Sequence, residues 1–325
     1  SMMLAAFLRA KAEGLELPGD VILAIVSDEE SLGGYGAKYL VENHSDLFKD
    51  VRYAIGEFGG FTIYIGNRRF YPIMVAEKQV CWIKATVCGQ GGHGSMPTRG
   101  GSMLKLSHLL QQLDKHRLPV HVTPTARLMI KTMASALGGL TGLILNQLTN
   151  PMFSNAMLKL LGDGGSFFDP QLHNTVSASI LHGSDKINVI PAEVSVELDG
   201  RLLPGYQPDD IIEELKRIIG NEVELEIIQH DPGPLTPDMG LFQTLSNILH
   251  EVDPEGIPVP LLLSGSTDGR LFSRIGIQTY GFLPMLLPED FNFARTIHAA
   301  DERIPMEAVD FGANAIYRLL QCFGE

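Results

Sequence analysis

The feature that most constrains this chain is a repeated alternation of apolar run, acidic loop and helix. Val21-Ile-Leu-Ala-Ile-Val26 is apolar without a break, the pattern of a strand buried on both faces of a parallel sheet. Ser27-Asp28-Glu29-Glu30 follows it, then a glycine-rich turn and a helical pattern to about Asn43. Val51 to Ile55 is a second apolar strand and ends at Gly56-Glu57. Strand, acidic loop, helix, strand, acidic loop is an α/β order. It predicts Glu29, Glu30 and Glu57 together at the carboxyl ends of neighbouring strands, where open α/β sheets place their ligands.

The pattern changes near Glu77. Gln79 to Val87 alternates as a half-exposed strand, the loop Gly89-Gln-Gly-Gly-His-Gly-Ser-Met-Pro97 follows, and Gly101 to Leu113 reads as a helix. Strand patterns recur at Thr175–Leu181 and Ala192–Leu203, then a helix at Pro208–Ile219 and a strand at Val223–Gln229. Strand, helix, two strands, helix, strand is the order of a ferredoxin-like sandwich. A Met- and Leu-rich helical insertion at about 123–168 interrupts it. The insertion reads as a packing element, in one version at a subunit interface, ahead of a substrate-binding role. From Asp231 the α/β order resumes with a helix at Gly240–Val252 and strands at Val259–Leu263 and Ile277–Phe282. Helices at residues 2–12 and Pro305–Cys322 frame the chain. The expected organisation is one α/β domain, 1–76 with 231–325, holding an inserted α+β domain, 77–230.

At 325 residues the chain is long enough for two compact cores. Its formal net charge of −13 works against nucleic acid and anionic membrane as partners. Cys81, Cys88 and Cys322 have no disulfide-framework or CxxC spacing, so a reducing, cytoplasmic setting is expected. The longest apolar stretch, Ala136 to Leu148, is too short and glycine-rich to cross a bilayer.

Taken singly, the polar residues have ordinary explanations. Glu29 and Glu30 can be an acidic first turn favoured by a helix dipole, or a metal ligand beside a general base. His298 lies in a loop before the last helix, and with Glu29, Glu30 and Glu57 it makes a donor set that zinc accepts. His93 sits in a glycine-rich loop that is either a tight turn or a projection into a site. Arg201, ending an alternating strand, can hold a carboxylate by a two-pronged contact. Asn188 can donate to an oxyanion, and Ser264-Gly-Ser-Thr-Asp268 can present backbone N–H groups to a carboxylate.

In sequence order, SDEESLGGYGAKYL, GE at 56–57, GGHGSMP, KINVIPAEVSVELDGRLLPG, SGSTDGRLF and IHAADERIP resemble the successive motifs of the dizinc aminoacylase and carboxypeptidase metallopeptidases. That family includes acetylornithine deacetylase, succinyl-diaminopimelate desuccinylase, glutamate carboxypeptidase and Gly-X carboxypeptidase. The long insertion and the LHNTVSASIL and DGRLLPG wording are more similar to the Gly-X carboxypeptidase and N-acyl-amino-acid hydrolase branch. The resemblance covers essentially the whole chain. It implies a zinc-peptidase-like α/β/α catalytic domain with an inserted ferredoxin-like lid, and homodimerisation through that lid.

The resemblance also implies roles. Glu29 is the general base, Glu30 and His298 bind one zinc, and Glu57 binds the other; cobalt or manganese are alternatives. His93 is the lid histidine that reaches a partner's site in dimeric members. Asn188 and Arg201 bind the substrate's carbonyl and carboxylate, and Gly265 with Ser266 closes that pocket. The family's His-x-Asp motif and bridging Asp are not in the sequence; the only His-x-Asp, His44-Ser45-Asp46, follows the Glu pair. The chain is therefore expected to be N-terminally incomplete and to hold one zinc or none. The expected activity is hydrolysis of amide bonds in peptides or N-acyl amino acids with a free carboxylate, impaired by the missing motif. The alternative is a non-catalytic remnant that acts as a dimeric amino-acid- or peptide-binding protein.

Overall fold

A computed structural model describes residues 1–291 and 293–323. In chain order its strands are β1 (Tyr53–Gly56), β2 (Ile63–Ile65), β3 (Arg68–Glu77), β4 (Gln79–Cys88), β5 (Gly92–His93), β6 (Thr175–His182), β7 (Val189–Ile190), β8 (Glu193–Leu202), β9 (Glu224–Asp231), β10 (Ile257–Leu263) and β11 (Gln278–Gly281). The first sheet runs β1-β11-β3-β10, with β2 hairpinned onto β3. β1 pairs parallel with β11, and β10 parallel with β3.

β3 organises that sheet, and the sequence reading had no strand there. Phe70 through Ala76 are all buried. Alternation splits them between two cores. Tyr71, Ile73 and Val75 pack with the helices Met2–Ala12, Phe242–Val252 and Met306–Cys322. Phe70 and Met74 pack on the opposite face against Met129, Ile130 and Met133 of the helix Pro124–Leu137. Pro72 in mid-run is the reason the strand is hard to read, since proline donates no ladder hydrogen bond. The result is a three-layer α/β/α stack.

The second sheet is antiparallel, in the order β6-β8-β4-β9. Helices Ser102–Lys115 and Pro208–Ile219 cover one face, burying Leu106, Leu109, Ile211 and Leu215 against Ile83, Ala85, Val196 and Leu198. This is the ferredoxin-like arrangement. The second helix starts where its sequence says it should: Gln207 and Asp210 form a reciprocal capping box, Pro208 takes the first turn, and Lys216 and Arg217 lie in the last.

The helical insertion packs away from the sheet that it interrupts in sequence. Its Met129, Ile130, Met133, Leu145, Leu148 and Leu158 share a core with Phe70, Met74, Val259 and Leu261 of β3 and β10. It therefore supplies the outer helical layer of the first sheet.

One expected strand is absent. Val21–Val26 pairs with no strand, and Val21, Ile22 and Ile25 are 37%, 50% and 78% exposed. Apolar composition makes a segment able to be buried, but burial on both faces also needs a neighbour on each side. None of the described strands flanks it. Ser27 instead crosses Gly36 so closely that a Cβ there would lie 2.2 Å from the Ser27 carbonyl oxygen.

Candidate active site

The acidic loop after residue 26 closes into a tight turn. Asp28 (φ 54°) and Leu32 (φ 72°) are left-handed on either side of the short Glu29–Ser31 turn. The Asp28 carboxylate accepts the Tyr35 N–H at 2.9 Å, which holds it below the ordinary carboxylate range. The buried Arg270 guanidinium secures the far side, donating to the Leu32 carbonyl (2.7 Å) and to the Thr267 carbonyl (2.8 Å).

Four carboxyl groups, Glu29, Glu30, Glu57 and Asp268, crowd together beyond this turn. The Glu57 carboxyl, just past β1, is pushed up to about 7 by protein packed around it, then by the charge of Glu29 and a hydrogen bond with it, then by Glu30 and Asp268. Burial and Glu29 also raise Asp268 to about 6, although Arg270 opposes. Asp268 Oδ1 is buried with no hydrogen-bond partner among the described residues. Gly33, at φ +65°, makes room for it, since a Cβ at Gly33 would lie 2.5 Å from that oxygen. His298, itself left-handed at φ 56°, brings Nε2 within 3.1 Å of Glu30 Oε1 on the exposed rim.

A second group lies along the Ser264–Asp268 loop. Arg201, on β8, donates from Nη1 to Ser266 Oγ at 3.0 Å and from Nε to Asp199 at 2.8 Å. Trp82 Nε1–H donates to the same Asp199 oxygen at 3.0 Å. The loop does present a backbone N–H to a carboxylate, but to one within the chain: Thr267 donates its N–H (2.6 Å) and hydroxyl (3.0 Å) to Glu77 Oε2. Burial pushes Glu77 up to about 7 against those two bonds. Gly265 has open surroundings, with only Leu263 as close as 4.0 Å to a Cβ placed there.

His93 and Asn188 meet on the lid. β5 and β7 pair His93 with Val189, and the Gly94 N–H donates to the Asn188 carbonyl at 2.8 Å. His93 Nδ1 lies 2.8 Å from Ser95 Oγ, and both His93 and Asn188 are exposed. Among the described residues neither bonds to Glu29, Glu30, Glu57 or His298.

The chain as a whole matches a known family. The family model "Peptidase family M20/M25/M40" matches residues 1–321. The chain belongs to peptidase family M20/M25/M40. It is 26% identical over 311 residues to human N-fatty-acyl-amino acid synthase/hydrolase PM20D1, covering 92% of this chain and 60% of that protein. It is 25% identical over 318 residues to probable carboxypeptidase S-like 2 of Dictyostelium discoideum, covering 92% and 59%. The chain thus spans about 60% of the length of these relatives. The fold is that of the M20 metallo-carboxypeptidase Sso-CP2 from Sulfolobus solfataricus, with TM-score 0.59, 16% identity, and 98% and 74% of the two chains covered. Human carnosine dipeptidase 1 superposes with TM-score 0.58 at 14% identity, covering 98% and 70%.

M20/M25/M40 relatives are metallohydrolases, and the residues here suit a divalent cation. Carboxylate oxygens and an imidazole are donors zinc accepts, and Glu57 and Asp268 are raised by burial first and by neighbouring carboxylates second. Among the described residues, however, no group of three or more His, Cys, Asp or Glu side chains is arranged to hold a metal ion. Glu30 and His298 form a pair, one short of the three protein ligands of catalytic zinc.

Sequence reading missed Glu77, Asp199, Asp268 and Lys78. Asp268 stood inside a quoted motif, and its burial was the missing signal. Lys78 has none: it is wholly buried, donates from Nζ to Thr175 Oγ1 at 2.9 Å, and is pushed down to about 7 by burial and then by Arg201.

Proposed function

We propose that this chain is a metal-dependent amidohydrolase acting on peptides or N-acyl amino acids that carry a free carboxylate. The observation that carries the reading is that one loop, Ser264–Asp268, touches both halves of such a site. Its Ser266 accepts from Arg201, while its Asp268 lies among Glu29 and Glu57. A carboxylate grip and an acidic cluster are thereby held a fixed distance apart, as cleavage of an amide next to a carboxylate requires.

Glu30 and His298 would hold one zinc, cobalt or manganese ion, and Glu57 the other. A bound ion of this kind polarises an amide carbonyl and lowers the pKa of water. Glu29 takes the proton of the attacking water and returns it to the leaving nitrogen. Arg201, braced by Asp199, receives the substrate carboxylate, with Gly265 and Ser266 at the pocket wall. His93 and Asn188 serve the oxyanion. His93 is read as reaching the partner's site from a second protomer, with the homodimer formed through the lid. The exposed edge strand β6, with Ile180 and Leu181 50% and 60% exposed, supports that surface. Among the described residues no helix is long and apolar enough to cross a membrane; a cytoplasmic setting rests on the cysteine pattern.

Glu29→Gln should abolish hydrolysis of an N-acyl amino acid while zinc content per chain stays unchanged. Substantial turnover in that variant would remove Glu29 as the base. Wild-type protein with neither zinc nor turnover would favour the binding-protein alternative.

A further inference from the structure

Thr267 is tied down at every polar group it has. Its N–H and hydroxyl donate to Glu77 Oε2, its hydroxyl accepts from the Gly269 N–H at 3.0 Å, and its carbonyl accepts from Arg270. It is only 4% exposed. The residue before it, Ser266, is among the described residues the hydrogen-bond partner of the Arg201 guanidinium that lies outside the lid. Glu77 is the last residue of β3, immediately before the chain crosses into lid strand β4. Arg201 is held from the lid side by Asp199, itself fixed by Trp82. On the catalytic side its hydrogen bond among the described residues is to Ser266, and Ser266 is placed by Thr267.

We propose that Glu77 is a positioning residue for the substrate-carboxylate site, acting through Thr267 and Ser266 to aim the Arg201 guanidinium. The inference rests on Arg201 being the carboxylate receptor. Glu77 has no contact with ligand in this role. Removing it frees the loop, leaves Arg201 with lid contacts only, and lowers affinity for a carboxylate without affecting the rest of the ligand.

The test is equilibrium titration of N-acetylleucine and of its carboxamide into wild type and the variants Glu77→Ala, Glu77→Gln and Ser266→Ala. Wild type should prefer the carboxylate. In Glu77→Ala and Ser266→Ala that affinity should fall about tenfold, the scale of one hydrogen bond to a charged group, with carboxamide binding unchanged. Glu77→Gln should restore the preference, because its amide oxygen accepts the same Thr267 bonds. An equal fall for both ligands would make Glu77 merely structural, and unchanged carboxylate affinity in Glu77→Ala would overturn the coupling. Should Glu77→Ala not fold, Thr267→Val carries the test, since it deletes the hydroxyl bond within the same side-chain shape. Wild type binding both ligands equally would sink the Arg201 reading itself, and that failure shows before any substitution.

Discussion

Glu77 and Lys78 are neighbours at the crossover between sheets, and burial drives their proton affinities in opposite directions. Glu77 and Asp268 are raised to about 7 and about 6 from 4.5 and 3.8. Between pH 5 and 7 the unfolded carboxylates are ionised while the folded ones take up protons. Glu57, raised to about 7, titrates in the same sense, so chelated protein should gain stability on acidification from pH 7.5 to 5.5, on the order of 2–4 kcal/mol. Lys78 opposes this in part, because its folded value of about 7 lies inside the window and the folded lysine gains its proton only as the pH falls through it, whereas the unfolded one holds it throughout. Thermal unfolding at the two pH values measures the effect, and Glu77→Gln should shrink it. Lys78 acts in the other direction at higher pH: its folded value is depressed, so stability rises from about 7 upward. Lys78→Met should stabilise the protein at pH 7 by roughly 2 kcal/mol, read from denaturant midpoints.

Among the elements, β3 and the helical insertion explain each other. β3 is buried on both faces, and the second face is covered by the insertion's Met129, Ile130 and Met133, each 0% exposed. Met133→Ala should cost about 2–4 kcal/mol in chemical denaturation, though the residue belongs to a segment that looks in sequence like an appendage to the lid. A loss under about 1 kcal/mol would mean the insertion is a detachable layer. The main lid elements were legible because β4 and its covering helix repeat cleanly around one core: Ile83, Ala85 and Val87 inward on β4, Leu106 and Leu109 on its helix. β3 was not legible, because a strand buried on both faces has no alternation and Pro72 argues locally against it. Val21–Val26 erred the opposite way. It has the composition of a central strand and no described neighbour to pair with.

For the molecule as a whole, metal binding is the property on which the proposed chemistry depends. Loss of an outer-shell group already costs about 10–100-fold in metal affinity in other sites. His298→Ala and Glu30→Ala should each cost at least as much in competitive zinc titration, whereas His93→Ala should change zinc affinity little. Equal effects from all three would mean that His93 reaches the acidic cluster.

What the sequence by itself determined was chemistry in order: the succession of carboxylates, histidines and arginine along the chain, and an α/β frame with a ferredoxin-like insert. Those follow from local periodicity and short motifs, which neighbouring residues write together. Tertiary structure alone decided which of these groups meet. Glu30 reaches His298 across 268 positions, and Arg201 reaches Ser266 across 65. His93 pairs with Val189 in a small ladder, with Asn188 just beside it accepting the Gly94 N–H. It also made a pocket tie of Thr267 and Glu77, and gave Lys78 its burial, because proton affinity and hydrogen-bond partnership depend on what lies around a side chain in space.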